Sequence, residues 1–137
     1  EFVITDPSGK DISYFYDQNY NRTGFIDRRG QTYTTDYDSA GRVTMITNPL
    51  NGKIESTYDP NANITSVIDE RGNMMYFEYD FHDLFSAKSD MQGRQAVGRD
   101  VVGRITNYEN ARGTGVSSYS YDDDGALITG IDWLCQP

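Results

Sequence analysis

The sequence predicts an all-β fold: an antiparallel array of β-hairpins built on a repeat of 21 residues. Three observations predict it. A Tyr-Asp pair stands at Tyr16-Asp17, Tyr37-Asp38, Tyr58-Asp59 and Tyr79-Asp80, each 21 residues after the last, and returns at Tyr121-Asp122. Eleven residues after each Tyr position comes Asp27, Asn48, Asp69, Asp90, Asn110 or Asp132, with Asp6 in the same phase ahead of the first. Between these two markers run short segments of alternating apolar and polar residues. Self-similarity at a fixed period marks a repeat architecture, in which each unit buries its apolar face on its neighbours.

Each unit reads as strand, turn, strand, turn. In the strand leading into the Tyr, Ile12, Tyr14 and Tyr16 share one face, and Tyr33, Thr35 and Tyr37, then Ile54, Ser56 and Tyr58, then Met75, Phe77 and Tyr79 follow suit. Their neighbours Thr34, Asp36, Glu55, Thr57 and Glu78 are polar, so the alternation predicts strands with one face covered and one wet. A polar link follows, as in Asp17-Gln18-Asn19-Tyr20, Asp38-Ser39-Ala40-Gly41, Asp59-Pro60-Asn61-Ala62 and Asp122-Asp123-Asp124-Gly125. Its Asp accepts hydrogen bonds from amides further on, and a later Gly or Asn supplies a left-handed conformation. The next strands, Val43–Ile46, Ile64–Ile68, Ile105–Tyr108 and Leu127–Ile131, are rich in β-branched residues. They end at a second turn, such as Asn48 to Gly52 or Asp69 to Gly72, where Gly9, Gly30, Gly52, Gly72, Gly93 and Gly113 cluster. No segment is long enough for a crossover helix, so sequential strands are antiparallel.

Between Tyr79 and Tyr121 the register is held by Arg99-Asp100, which lacks the Tyr but is followed by Gly103-Arg104 as Tyr37-Asp38 is by Gly41-Arg42. One repeat is a residue short and the next a residue long. The least regular stretch is Asp80 to Lys88, with the Gly-rich Gly93 to Gly98 after it, and irregular geometry is expected there. Neither a linker nor a domain boundary is visible, so residues 1–137 read as one array. Because the chain opens and closes in mid-repeat, it is expected to be a piece of a longer protein.

Bulk composition narrows the function classes. The chain is 36% apolar, and Tyr supplies 11 of its 18 aromatic residues, so the rings should lie with one edge towards polar atoms. A net charge of -9 argues against a nucleic-acid backbone or an anionic membrane surface as the main partner. No run of apolar residues is long enough to span a membrane, and no signal peptide is visible. A single cysteine, Cys135, excludes an intrachain disulfide framework and reads as a passive thiol.

Candidate chemistry is outweighed by structure at every position. Most of the 21 acidic residues recur at turns, where a repeated structural role explains them. Asp122-Asp123-Asp124-Gly125 invites a calcium reading, but the closing Glu of an EF-hand loop would fall on Trp133. His82 is the only histidine and reads as a loop residue. Gly41-Arg42 and Gly103-Arg104 precede strands, not helices, so neither is a phosphate loop; each Arg is expected to pair with a nearby carboxylate or carbonyl. Asp6-Pro7-Ser8-Gly9 reads as an ordinary second turn. No catalytic, cofactor or metal residue is assigned. The chief rival reading is a carbohydrate or cell-surface binding module using Tyr14, Tyr20, Tyr33, Tyr76 and Tyr108.

The run from Tyr37 to Thr44, with the turn from Asn48 to Gly52 and the return of Tyr58-Asp59, resembles the RHS or YD repeat. That repeat occurs in bacterial RHS proteins, insecticidal toxin-complex shell proteins and the teneurins. The resemblance covers essentially the whole chain. It implies hairpins wound as a curved strip or part of a spiral shell that, in bacterial members, encloses a toxin polypeptide and acts outside the producing cell. The partners it implies are the neighbouring repeats of a parent chain and that enclosed polypeptide. The residues it assigns to the structural motif are Tyr16, Asp17, Tyr37, Asp38, Gly41, Arg42, Tyr58, Asp59, Tyr79, Asp80, Gly103, Arg104, Tyr121 and Asp122. Open strand edges would also favour self-association.

Overall fold

The computed structural model describes residues 1–111 and 116–131. All regular structure among them is β. The strands are β1 (Phe2–Thr5), β2 (Asp11–Tyr16), β3 (Arg22–Ile26), β4 (Thr32–Tyr37), β5 (Val43–Thr47), β6 (Lys53–Tyr58), β7 (Ile64–Ile68), β8 (Met74–Tyr79), β9 (Phe85–Asp90), β10 (Gly93–Arg99), β11 (Ile105–Glu109), β12 (Val116–Tyr121) and β13 (Leu127–Ile131). Two compact units divide them, Glu1–Asn73 with β1 to β7 and Met74–Pro137 with β8 to β13. Within each unit every strand pairs antiparallel with the next in sequence. The expected hairpin array is therefore what the chain builds.

One turn geometry generates both connections of the repeat. In the first turn of the second repeat, the Asp38 amide donates to the Arg42 carbonyl at 2.9 Å and the Gly41 amide to the Asp38 carbonyl at 3.0 Å. The second turn at Asp27 has the same pair, from Asp27 to the Gln31 carbonyl at 2.9 Å and from Gly30 to the Asp27 carbonyl at 2.8 Å. This is the three-residue hairpin loop, a type I turn closed by one residue in the left-handed region. Gly41 holds that place at φ 78°. Glycine or asparagine was expected there throughout, yet Tyr20 (φ 66°), Ala62 (φ 71°) and Asp83 (φ 59°) occupy it in other repeats. The turn hydrogen bonds hold them against the local steric cost.

A feature absent from the alternation pattern is a β-bulge after every first turn. Phe15 pairs with Gly24 but Tyr16 with Arg22, which leaves Thr23 unpaired. Thr44, Thr65, Ser86, Thr106 and Ile128 are left over in the same way. The bulge inserts one residue on one strand, and it places Val43 opposite Tyr37 and Ile64 opposite Tyr58. Without it, the apolar residues of the following strand would fall on the wrong face.

Two expectations need correction. The stretch from Asp80 to Gly98 is regular: Asp80 closes an ordinary first turn with Leu84, and β9 and β10 pair from Asp90 and Gly93 to Ala87 and Ala96. Its one departure is a tighter second turn at Met91-Gln92. Nor is one face covered and the other wet. Among the described residues the only buried apolar side chains are Ala87 and Ala96. The chain exposes 9851 Å², whereas a compact protein of this mass would expose about 7,200 Å². Among the described residues each unit is a single sheet with both faces open.

Because Ala62 sits in the left-handed region without a side-chain hydrogen bond to offset it, Ala62→Gly is expected to stabilise the chain by about 1 kcal/mol. Urea unfolding of the two proteins measures it, and an equal loss would contradict the assignment of strain.

Candidate functional site

The motif residues converge on one repeated arrangement along the first turns. Asp17, Asp38, Asp59, Asp80, Asp100 and Asp122 each open a turn, and their Oδ1 accepts the amide four residues on at 2.7–3.1 Å. The amide two residues on donates to the same oxygen at Asp17, Asp38, Asp80 and Asp100. Oδ2 is used as well. It accepts from Asn21 Nδ2 at 3.0 Å in the Asp17 turn, from Asn63 Nδ2 at 3.0 Å in the Asp59 turn, and from Arg42 and Arg104 Nε at 2.7 Å in the Asp38 and Asp100 turns.

The arginines do more than cap their own turns. Arg42 Nη1 also donates to the Asp59 carbonyl at 2.8 Å, and its guanidinium lies 4.8 Å from the centre of the Tyr58 ring. Arg104 repeats this on the Asp122 carbonyl at 3.4 Å and over Tyr121 at 4.6 Å. Each therefore ties one first turn to the next and adds a cation–π contact. The sequence expectation of a carboxylate or carbonyl partner is met by both at once.

The tyrosine supplies the remaining link. Tyr37 Oη donates to the Arg22 carbonyl at 2.9 Å, Tyr58 Oη to Val43 at 2.7 Å and Tyr121 Oη to Ile105 at 2.7 Å. Each acceptor is the first residue of the preceding strand. The β3–β4 ladder stops at Gly24 and Thr34, so the hydroxyl joins the two strands beyond their last backbone pair. Arg99, which stands where the Tyr is missing, does the same by other means: its Nη1 donates to the Phe85 carbonyl at 2.6 Å. Sequence reasoning recorded Arg99 as a loss; its long donor side chain was the signal of a replacement.

The second turns carry a matching ladder. Asn48 Oδ1 accepts the Leu50 and Gly52 amides at 2.9 Å each, and its Nδ2 donates to Glu70 in the next second turn at 2.8 Å. Arg28 reaches back to Asp6 at 3.4 Å. In the second unit, Arg94 forms a forked pair with Glu78 at 2.8 and 3.1 Å.

The electrostatics follow from these bonds. A side-chain donor from Asn21, Asn63 or Asn73 holds Asp17, Asp59 and Asp69 below their ordinary value of 3.8, as Ser8 does for Asp6 and the Arg42 amide for Asp38. At Asp80 and Asp100 partial desolvation pulls upward, but the amide and Arg104 hydrogen bonds outweigh it and these carboxyls are lowered too. A lowered carboxyl stays ionised as an acceptor, and Asn48 shows that a neutral amide oxygen fills the same place.

The other candidates disperse. His82 is an exposed turn residue with its ring 3.9 Å from that of Phe81. Asp122 to Asp124 form a first turn, and among the described residues no group of three or more His, Cys, Asp or Glu is placed to hold a metal ion. The five tyrosines of the carbohydrate reading do not share a surface. Tyr14 and Tyr33 flank Phe25, with ring centres 6.2 and 4.5 Å away, and Tyr20 is on a turn. In the second unit Tyr76 shares a face with Glu78, while Tyr108 pairs with Val97 on the other. Asp132, Trp133, Cys135 and Gly113 lie outside the described residues. Among the described residues no helix is long and apolar enough to cross a membrane.

Solved structures share this arrangement of hairpins. The crystal structure of TcdB2-TccC3 without its hypervariable C-terminal region superposes on 88% of the chain with a TM-score of 0.66 at 14% identity. The hairpin-array fold is shared with that toxin-complex chain. The crystal structure of TcdB2-TccC3-Cdc42 and the Photorhabdus luminescens Tc holotoxin pore with a substituted TccC3 match over the same 88%, each with a TM-score of 0.64 and 14% identity. The chain spans 7% of the length of each of these chains. No family model and no curated protein matches it.

Two outcomes test the repeat ladder. The carboxyls of Asp6, Asp17, Asp38, Asp59, Asp69, Asp80 and Asp100 are lowered in the folded state, so their stabilisation is fully present above 3.8 and is lost as pH falls through the folded values. The thermal midpoint should stay level from pH 7 to about 5 and drop below about 3.8; a midpoint that rises on acidification would contradict this. Tyr58→Phe should cost about 1 kcal/mol in urea unfolding by leaving the Val43 carbonyl without its donor, and no change would remove the hydroxyl bond from the account.

Proposed function

We propose that this chain is a segment of the wall of an RHS-type shell, a structural array that encloses a polypeptide in its parent protein and does no chemistry of its own. The observation that carries this is the open apolar face of the first unit's sheet. Phe2, Ile4, Ile12, Tyr14, Phe25, Tyr33, Ile46, Ile54 and Val67 share one face of the first unit by their pairing. A single sheet is independently stable only when such a face is packed against something, and the strands here have no second layer. Further wall or an enclosed chain supplies that cover.

The motif residues suit this work. Tyr37, Tyr58 and Tyr121, with Arg42 and Arg104, tie hairpin to hairpin along the first-turn margin, while Asp17, Asp38, Asp59, Asp80 and Asp122 close the turns there. In this reading the strip continues from repeat to repeat and into neighbouring repeats of a parent chain. Likeness to Tc toxin structures supports a toxin as the enclosed polypeptide and action outside the producing cell. In this reading the lowered carboxyls are turn acceptors, and none is a catalytic acid or base.

Limited proteolysis of the full reading frame that contains this chain tests the proposal. Cleavage should spare an enclosed segment until Ile46→Lys and Ile54→Lys are introduced into the wall, after which that segment should be digested. Equal digestion before and after would sink the enclosure, and glycan binding lost on Tyr14→Ala would replace it with a binding module.

A further inference from the structure

The apolar face of the first unit is also nearly free of charge. Apart from the polar Thr35 and Ser56, its strand positions from Phe2 to Val67 carry aliphatic or aromatic side chains, and its charged groups, Arg22 and Arg42, stand along the first-turn margin. Arg22 leans inward, 5.9 and 5.5 Å from the ring centres of Tyr14 and Phe25. An apolar centre with charge confined to the rim is the anatomy of a protein interface. The opposite face is unlike it: Asp36 and Glu55 stand within its strands, and Asp11 and Lys53 stand at strand ends.

We propose that this face is self-complementary and packs, sheet against sheet, on the same face of a second copy of this chain. Seven strands about 4.8 Å apart and about 17 Å long offer roughly 600 Å² per copy. Two copies then cover about 1,200 Å², above the roughly 1,000 Å² that a specific interface requires. Sheets of ordinary twist stack at about 30° with side chains interdigitated, and the resulting pair is a two-layered sandwich with the apolar centre that each unit lacks. Ile46 and Ile54 are directly paired across β5 and β6 at the middle of the face and remain 43% and 37% exposed in the single chain, so they become the centre of the contact. Arg22 and Arg42 stay at the rim in water. The proposal concerns the chain alone and does not depend on what the wall encloses.

Sedimentation velocity of the 137-residue chain over a concentration series, with β-sheet circular dichroism as the control for folding, tests it. The chain should dimerise. Ile46→Lys should weaken the dimer at least tenfold because each copy then buries a lysine against its equivalent. Glu55→Lys, on the opposite face, should leave it unchanged. If Ile46→Lys loses its circular dichroism, Thr35→Lys places the same charge on the same face at a position that is already polar. A monomer at all concentrations overturns the proposal. So does a dimer that Ile46→Lys and Thr35→Lys leave intact while hydrogen exchange protects the β1 amides, since that pattern means pairing edge to edge.

Discussion

The rest of this structure depends on one hydrogen-bonding geometry, an aspartate or asparagine at the head of a three-residue loop whose Oδ1 gathers the amides two and four residues on. That oxygen replaces the partner that a turning backbone cannot offer its own N–H groups. It also fixes loop length, and loop length fixes the register of each hairpin. In a single sheet with almost no buried side chains among the described residues, local restraint of this kind must do what a hydrophobic core does in a globular domain. The turn bonds are close to the surface, so each is modest; their repetition from hairpin to hairpin is what gives the array its regularity.

The second level of restraint ties hairpin to hairpin. The backbone ladder between β3 and β4, between β5 and β6, and between β11 and β12 ends before the first turn. The hydroxyls of Tyr37, Tyr58 and Tyr121 bridge that gap, and the Arg99 guanidinium bridges the equivalent gap onto Phe85. Arg42 and Arg104 then link successive turns beneath the same rings. Tyr is suited to the place because it covers apolar neighbours with its ring and meets a carbonyl with its far end. Asn21 and Asn63 replace the arginine with a shorter donor that caps its own turn.

Much of this was legible because repetition multiplies a weak signal. The 21-residue phase of Tyr16, Tyr37, Tyr58 and Tyr79 located the strands, and Asp at the head of each link located the turns. The bulge was not read, although Thr23, Thr44, Thr65, Ser86 and Thr106 stand seven residues after successive Tyr positions. A polar residue there looked like part of the alternation, and only strand pairing shows that it has no partner opposite. Tyr20, Ala62 and Asp83 were missed as left-handed residues because propensity favours glycine, whereas a loop closed by at least four hydrogen bonds overrides it. The expected covered face failed for a different reason. Alternation shows that two faces differ, not that a second layer exists to bury one of them.

The most direct test of the central claim is urea unfolding of Asp27→Asn beside Asp27→Ala. Asp27 Oδ1 accepts the Arg29 and Gln31 amides at 2.8 and 2.9 Å. If the acceptor oxygen sets the turn, Asn keeps stability within about 0.5 kcal/mol while Ala loses about 1–2 kcal/mol. Equal losses in the two variants would show that the carboxylate charge, and not the geometry of the oxygen, holds the turn.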